Sequence, residues 1–479
     1  MLLSALTAHL AASSIEGPTD RPIERIVFDS REARSADLFV AIRGERLDAR
    51  RFVPDLDVAA VIADAPVRAQ PGVTVILVKD ARKAMAEVAA RLHEDPAKQM
   101  PVVGITGTNG KTTVTWMLES ILSHANQRCG VIGTTGHRVA GRPVHARHTT
   151  PESPVIQALL AEMRDAGCAS GLMEVSSIGI AMDRVEALPF RVAVFTSFSR
   201  DHLDFHGDMD RYFKAKADLF ERLMDQEGVA ILNADEPRCA QIHPRADTTW
   251  RYGFGSDADF QADDLDASVH GTRFTVRTSS GTSDIDLPMV GMHNVANALA
   301  AFAAASALGI NQRDIQGGLN NLPTIPGRLE PIANEQGLTV LVDYAHTPDA
   351  LQQVLSALRP LSGGQIVTVF GCGGDRDPGK RPEMGRAASE GSDHVYVTSD
   401  NPRSEHPSKI IDDIVPGISG PYTVEADREI AIKLAVQHAQ PGDIVLIAGK
   451  GHETTQTRQG ETIEFDDRKV ATAALGITA

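Results

Sequence analysis

The sequence predicts an α/β protein in three parts, and three observations carry that expectation. The chain has 479 residues, more than one ordinary core holds, and typical domain size divides it into about three. Strand-like and helix-like stretches alternate from Val102 onward and start again at Thr339. Turn-forming residues interrupt the pattern at Asp95-Pro96 and at 323–328, where Pro, Thr, Pro and Gly fall close together. The expectation is a small N-terminal α/β domain over 1–97, a central parallel-sheet domain over 98–324 and a C-terminal Rossmann-like domain over 325–479.

Short apolar runs at 25–28, 38–42, 59–63 and 73–78 look like strands, and the Ala-rich stretch 81–93 reads as a helix. Runs at 102–106, 130–133, 171–175, 192–196 and 229–233, several with helical stretches between them, mark βαβ units and a mostly parallel sheet. The section 255–287 is polar and alternating, as antiparallel strands at an edge would be, and 294–308 is an Ala-rich helix buried by composition. In the third part, strands at 339–343, 365–370, 394–398 and 443–448 are separated by helical stretches such as 348–358 and 428–439.

Composition narrows the function classes. Only 5% of residues are aromatic and the formal charge is −16, which argues against base-stacking platforms and against a broad nucleic-acid or anionic-membrane surface. Cys129, Cys168, Cys239 and Cys372 lie far apart with no C-x-x-C pair, so free buried thiols are expected rather than disulfides or a thiolate zinc site. The first residues carry no basic leader, and the most apolar stretch, 298–310, is too short to span a bilayer. A cytoplasmic protein without membrane insertion is expected.

The most informative segment is a β-branched strand running into Gly107-Thr108-Asn109-Gly110-Lys111-Thr112-Thr113, with an apolar-periodic helix after it. Glycines let backbone N–H groups converge on phosphate oxygens at a helix N-terminus. Lys111 can reach the terminal phosphates and the Thr112 hydroxyl can ligate Mg²⁺. The general phosphate-loop pattern needs Gly where this chain has Ile105, yet strand, glycines, Lys and Thr come in the required order. The central part therefore reads as a P-loop mononucleotide-binding domain.

Phosphoryl transfer needs carboxylates or neutral imidazoles around the metal. Glu174 closes one strand candidate and points toward the crevice where such sheets bind ligands; taken alone it reads equally as a solvated strand-end carboxylate. His202, in Asp201-His202-Leu203-Asp204 after the next strand, reads alone as readily as a helix-start or surface residue. Lys214 and Lys216, by themselves, read as solvated helix residues.

The form G-T-N-G-K-T-T resembles the ATP loop of the Mur ligases and of their relatives the folylpolyglutamate synthetases. E-V-S-S at 174–177 and D-H-L-D at 201–204 resemble Mur ligase metal-site motifs, and that resemblance assigns Glu174 and His202 to Mg²⁺. Tyr212 to Phe220 resembles the family's Y-x-x-A-K-x-x-L-F, which implies a carbamylated lysine at Lys216 able to ligate a second Mg²⁺; a lysine pKa depressed by burial would favour that reaction. Asn294 and Asn297 match the family's N-x-x-N at the nucleotide, Arg328 a linker arginine near ATP, and Asp343 a strand-end nucleotide contact. One departure is Ile178, where the family often has His.

The resemblance extends to the substrate ends. Asp29-Ser30-Arg31 and Asp37–Ala41 resemble the signature of the diamino-acid-adding group, implying that Ser30 meets a uridine nucleotide. His148-Thr149-Thr150-Pro151-Glu152 resembles the segment meeting the muramoyl peptide, so Thr149 and Thr150 would contact it, and Ser176 and Arg184 match further substrate contacts. In the third part, three polar clusters follow three strands: Gly371 to Asp377, Asp400-Asn401-Pro402-Arg403, and Gly449-Lys450-Gly451-His452-Glu453. Strand ends of one sheet share an edge, so these clusters face one site. D-N-P-R resembles the form in ligases that add meso-2,6-diaminopimelate, and Arg403 can clamp a carboxylate with two parallel hydrogen bonds. Arg376, Gly449 and Glu453 match other amino-acid contacts, Glu453 being suited to an ammonium.

The resemblance implies a monomeric ATP- and Mg²⁺-dependent ligase of peptidoglycan precursor synthesis. It would join meso-diaminopimelate to a UDP-N-acetylmuramoyl dipeptide through an acyl phosphate, with Lys111, Glu174, His202 and Lys216 at the chemistry and a hinge near 323–328. Alternatives are a lysine-adding Mur ligase, a folylpolyglutamate synthetase-like ligase, and a P-loop regulator without chemistry.

Overall fold

The computed structural model describes residues 1–44, 47–146, 148–268 and 270–477. Among the described residues, three large sheets follow one another along the chain, and a two-stranded antiparallel pair, Thr455–Arg458 with Glu461–Glu464, comes after the third. The first has five strands in the order Ala12–Glu16, Thr74–Val78, Ala60–Ala63, Asp37–Ala41, Arg25–Val27, parallel except for the Ala12–Glu16 edge. The helix Ala81–Leu92 covers one face with Ala84, Met85, Val88 and Ala89, and starts at Asp80, whose carboxylate accepts from the amides of Arg82 and Lys83.

The second sheet has eleven strands, and Val102–Thr106 lies inside it between Val192–Phe195 and Ser170–Glu174. The chain first builds strands on one side of Val102–Thr106 and then crosses to the other. Its C-terminal end is thus the switch point where a crevice opens. Helices Lys111–His124 and Met292–Ala307 bury one face and Ser153–Asp165 packs on the other, so the central strands are apolar on both sides. The polar section forms antiparallel strands Phe260–Ser268, Gly271–Thr278 and Gly281–Leu287 at one end, as its alternation predicts. Strands Ala12–Glu16, Thr248–Gly253 and the His137–Val139/Arg142–Val144 pair escape a sequence reading. Ala12–Glu16 and Arg142–Val144 stand at sheet edges, and Thr248–Gly253 is mostly polar and half-exposed.

The third sheet has six strands, ordered Glu330–Ile332, Thr339–Asp343, Ile444–Ala448, Ile366–Phe370, His394–Val397, Tyr422–Val424, all parallel but the first. Helices Pro348–Leu358 and Arg381–Gly391 cover one face, Arg428–His438 and Asp467–Ala474 the other.

The connection between the second and third sheets is narrower than 323–328 suggests. Leu322 and Ile325 are buried in the core of the second sheet, and Leu329 in that of the third. The carbonyl of Gly327 accepts from the Tyr344 amide at 2.9 Å, and a Cβ on Gly327 would lie 2.2 Å from the backbone nitrogen of His452. Gly327 is therefore already docked on the third sheet, and the chain passes from one core to the other around Pro326.

Candidate active site at the seam of two sheets

The loop after Val102–Thr106 is shaped by what its glycines touch. Gly107 has φ +144°, and a Cβ there would sit 1.9 Å from the Thr196 hydroxyl oxygen; Gly110, at φ +86°, would meet the Asn297 side-chain oxygen at 2.3 Å. No other residue fits either place. The amide of Thr108 donates to Ser197 O (2.7 Å) and that of Asn109 to Ser197 Oγ (3.0 Å), which pins the loop to the end of the neighbouring strand. Lys111 folds back so that Nζ donates to the carbonyls of Gly107 (2.8 Å) and Thr108 (2.9 Å), and burial lowers its pKa. Thr113 is buried on the first turn of the helix.

Around this loop the structure gathers most of the central residues. Thr112 Oγ1 donates to Glu174 Oε2 (2.9 Å). Both oxygens of that buried carboxylate also accept from Thr134, through its amide and its hydroxyl, each at 2.9 Å. Gly133 makes room for it, since a Cβ there would lie 2.4 Å from Glu174 Oε1. Lys216 is buried with Nζ on the Gly107 carbonyl (2.7 Å) and 4.5 Å above the Tyr212 ring. Burial first, and then the charge of Lys111, hold its ammonium well below the ordinary lysine range. His202 has φ +53°, and burial pushes its imidazole down to about 4 despite Asp201 at 3.4 Å, so it is neutral at pH 7. Asn294 and Asn297 are linked to each other at 3.2 Å beside Gly110.

The residues expected to meet the peptide adjoin this group, and Thr149 and Ser176 line the same cavity as the loop. Thr149 Oγ1 lies 2.9 Å from Thr134 Oγ1, and Thr150 Oγ1 donates to the Glu174 carbonyl (2.9 Å) while accepting from the Ser176 amide (3.0 Å). Ser176 caps the short helix Ser177–Ala181, and Arg184 donates to Glu152 and to the Thr150 carbonyl, each at 3.0 Å. Ile178 lies one residue beyond Ser177, whose hydroxyl is 3.0 Å from His206 Nε2. An imidazole thus reaches this place from the segment after D-H-L-D. Ser30 stands apart, on a 3₁₀ turn of the first sheet.

The third sheet closes over the loop. Arg328 Nη2 donates to Thr112 Oγ1 (3.1 Å), with its guanidinium 4.9 Å from the Tyr344 ring, and Asn109 Nδ2 donates to Asp349 (3.1 Å). Asp343 accepts from the amides of Leu329 (2.7 Å) and Ala345 (2.8 Å), and burial raises its pKa. Arg200 pairs with Asp377 and Glu383, Arg376 approaches Asp204 at 3.7 Å, and Asp201 faces His346 (3.8 Å) and Lys380 (4.0 Å).

Two cavities meet here. One of about 300 Å³ is lined by Thr108–Thr113, Glu174, Asn294, Asn297, Arg328 and Asp343. The other, about 140 Å³, is lined by Arg376, Asp400, Asn401, Arg403, Gly449 and Glu453. Asp201, His202, Tyr344, His346 and Arg376 belong to both walls. Pro402, between the cavity-lining Asn401 and Arg403, is buried and does not itself line the second cavity. Arg403 Nη1 donates to the Gly374 carbonyl (2.5 Å). Gly449, at φ +114°, could carry no Cβ, which would lie 2.7 Å from Asp400 Oδ2. A third cavity of about 490 Å³ opens beside Asn109, Gly110, Asn233, Phe254, His293 and Gln353.

Sequence reasoning passed over Asp201, Tyr344, His346, Lys380 and Thr134. The first four adjoin or sit inside motifs it quoted, and the signal was there: each lies in the loop after a parallel strand. Thr134 had no such marker. The four cysteines are free and buried, as their spacing implies.

A glycine loop opening a helix at the switch point of a parallel sheet, roofed by a second parallel sheet with its own polar loops, defines a two-lobed P-loop α/β protein. A family model described as the Mur ligase middle domain matches residues 105–305, and one described as the Mur ligase glutamate ligase domain matches 327–451. The chain is 43% identical to the UDP-N-acetylmuramoyl-L-alanyl-D-glutamate–2,6-diaminopimelate ligase of Thermosynechococcus vestitus, over 99% of this chain and 97% of that one. It is 44% identical to the ligase of the same name from Gloeobacter violaceus, over 95% and 94%. A solved structure of a ligase so named matches with a TM-score of 0.70 and 32% identity, covering 99% of each chain. The chain belongs to the Mur ligase family of amide-bond-forming enzymes.

Proposed function

We propose that this chain adds meso-2,6-diaminopimelate to UDP-N-acetylmuramoyl-L-alanyl-D-glutamate, consuming ATP, in peptidoglycan precursor synthesis. The observation that carries the reading is the shared wall of the two cavities: a phosphate loop and an amino-acid-sized polar site open onto the same five residues. Near full-length identity to ligases of that name favours it over a folylpolyglutamate synthetase or a non-catalytic nucleotide binder.

In this reading the γ-carboxylate of D-glutamate takes the γ-phosphoryl group of ATP, and the amine then displaces phosphate and gives up a proton. The loop amides from Gly107 to Thr113 hold the phosphates, with Lys111 leaving the loop carbonyls for them. Asn294, Asn297, Arg328 and Asp343 hold the rest of the nucleotide. The donors present fit a hard divalent cation: a buried carboxylate with a hydroxyl against it, and an imidazole kept neutral by burial. Thr112, Glu174, His202 and a carbamylated Lys216 would hold Mg²⁺, which supplies neutralisation of charge on the transferring group. Lys216 suits that modification because burial favours the neutral amine.

Thr149, Thr150, Ser176 and Arg184 hold the muramoyl peptide, Ser30 meets the uridine end, and Arg376, Asp400, Asn401, Pro402, Arg403, Gly449 and Glu453 fix the amino acid. Closing the third sheet on the second brings amine to acyl phosphate and excludes water from the intermediate. We assign the three sheets to domains over 1–97, 98–324 and 325–479, with Ile325, at the last boundary, still packed in the core of the second sheet. No helix among the described residues is long and apolar enough to cross a membrane, and a cytoplasmic site is proposed because the reaction draws on ATP. Phosphate release with the UDP-muramoyl dipeptide, measured with diaminopimelate, with lysine and with neither, tests the reading. Diaminopimelate is expected to give the highest rate, and a higher rate with lysine would overturn the choice of amino acid.

A further inference from the structure

Behind the amino-acid cavity lies a charged group that none of the roles above uses. Lys450, the second residue after the strand Ile444–Ala448, has a fully buried side chain. Its Nζ donates to Glu453 Oε2 (2.9 Å) and to the Thr455 carbonyl (2.7 Å), and meets Asn401 Oδ1 at 3.4 Å. Three acceptors match the three hydrogens of an ammonium.

These bonds fix the two recognition residues in front of it. Asn401 Oδ1 also accepts from the Thr457 amide (3.1 Å), and its Nδ2 donates to Glu453 Oε2 (2.8 Å), so the amide has one orientation. Glu453 spends Oε2 on Lys450 and Asn401, and no described hydrogen bond uses Oε1. Burying an ammonium is costly, and an apolar side chain of similar length could fill the space. Charge is what lysine adds here. Among the described residues, five carboxylates and three cationic side chains line the cavity, and Lys450 stands just behind that wall as a fourth cation.

We propose that Lys450 is a specificity-determining positioning residue, acting through Glu453 and Asn401 to suit the cavity to a zwitterion whose charges cancel, a diamino dicarboxylate, over a diamino monocarboxylate of net charge +1. The inference rests on the functional reading above. Without the ammonium the cavity is one unit more negative, and with Lys450 Nζ 2.9 Å from the cavity-lining Glu453 that difference is only weakly screened. A ligand of net charge +1 gains from the change; one of net charge zero does not, and loses from the freed Glu453 crowding its second carboxylate.

The test is phosphate release at saturating ATP and UDP-muramoyl dipeptide, with diaminopimelate or lysine varied, for wild type, Lys450→Met, Lys450→Gln and Lys450→Arg. Lys450→Met is expected to raise KM for diaminopimelate and to move the kcat/KM ratio about tenfold or more toward lysine, with KM for ATP within about twofold of wild type. Lys450→Gln, which keeps a donor toward Glu453 and supplies the measurement if the methionine variant does not fold, is expected to shift the ratio in the same direction. Lys450→Arg, which keeps the charge, is expected to hold the ratio within about threefold. An unchanged ratio in the uncharged variants, with both amino acids losing activity equally, would assign Lys450 a purely structural role and overturn the proposal. Failure of the underlying reading shows earlier and separately, as a wild type that does not prefer diaminopimelate.

Discussion

Replacing Arg200 with alanine is expected to loosen the closure of the third sheet over the phosphate loop. Arg200 Nε donates to Asp377 Oδ2 at 3.1 Å, and Nη1 to Glu383 Oε1 at 3.2 Å. Both acceptors belong to the third sheet's unit, and Asp377 lies between Arg376 and Lys380. The Arg200 side chain is 37% exposed, so solvent screens these pairs and each contributes about 0.5–1 kcal/mol. Together they bias the closed arrangement by about 1–2 kcal/mol, a factor of about five to thirty in the open–closed equilibrium. An apparent affinity falls with the fraction of molecules competent to bind, so KM for the amino acid is expected to rise about three- to tenfold, with kcat falling less. Steady-state phosphate release gives the kinetic change, and fluorescence energy transfer between labels on the second and third sheets gives the shift toward open. Raising ionic strength should erode the wild-type advantage and leave Arg200→Ala nearly unaffected. Exchanging the charges in Arg200→Glu/Asp377→Arg should recover part of the closure. Unchanged KM and unchanged transfer efficiency in Arg200→Ala would refute the reasoning and leave closure to the apolar and hydrogen-bonded contacts around Tyr344 and Asn109.

Lys216→Met is expected to cost at least about a hundredfold in turnover, because under the proposed function it removes a charge-bearing group beside the transferring phosphoryl; ¹³C NMR of wild type in labelled bicarbonate should show a carbamate signal that the variant lacks. The second sheet's unit should weaken in acid, since burial holds His137 down at about 4 and its Nδ1 accepts from the Gly133 amide at 3.3 Å. A histidine with a depressed folded pKa keeps its contribution above the unfolded value of 6.5 and loses it as pH falls toward 4, so thermal midpoints should drop across that window by the equivalent of about 3 kcal/mol at most, and less in His137→Gln. Arg428 and Asp467 are paired at 2.8 Å with no exposure, and Arg428 also donates to the carbonyls of Ser399 and Ala448, just before two of the loops that line the second cavity. Arg428→Met leaves a buried carboxylate alone and is expected to destabilise by about 3–5 kcal/mol, whereas Arg428→Met/Asp467→Leu should recover most of that in denaturant unfolding while KM for the amino acid stays high.

Much of the molecule is written locally. The loop Gly107–Thr113 was legible because only glycine fits beside Thr196 and Asn297, and because a strand and a helix flank it with the right periods. The three polar clusters of the third sheet were legible because strand ends of a parallel sheet share one edge, a rule that needs only the order of elements. Edge strands such as Ala12–Glu16 were not legible, since half-exposed residues carry no strong period. Lys216 shows the limit most clearly. By sequence it is one of two lysines on a short helix, and nothing local separates it from Lys214. In the fold Lys214 is exposed and paired with Asp218, while Lys216 is buried on the Gly107 carbonyl. The sequence alone determined the central strands and helices, their order and the glycine loop, because these depend on neighbours along the chain. Only the tertiary structure decided which charges are buried, which loops share a wall and where the two lobes meet, because desolvation and Coulomb energy depend on distances between residues far apart in sequence.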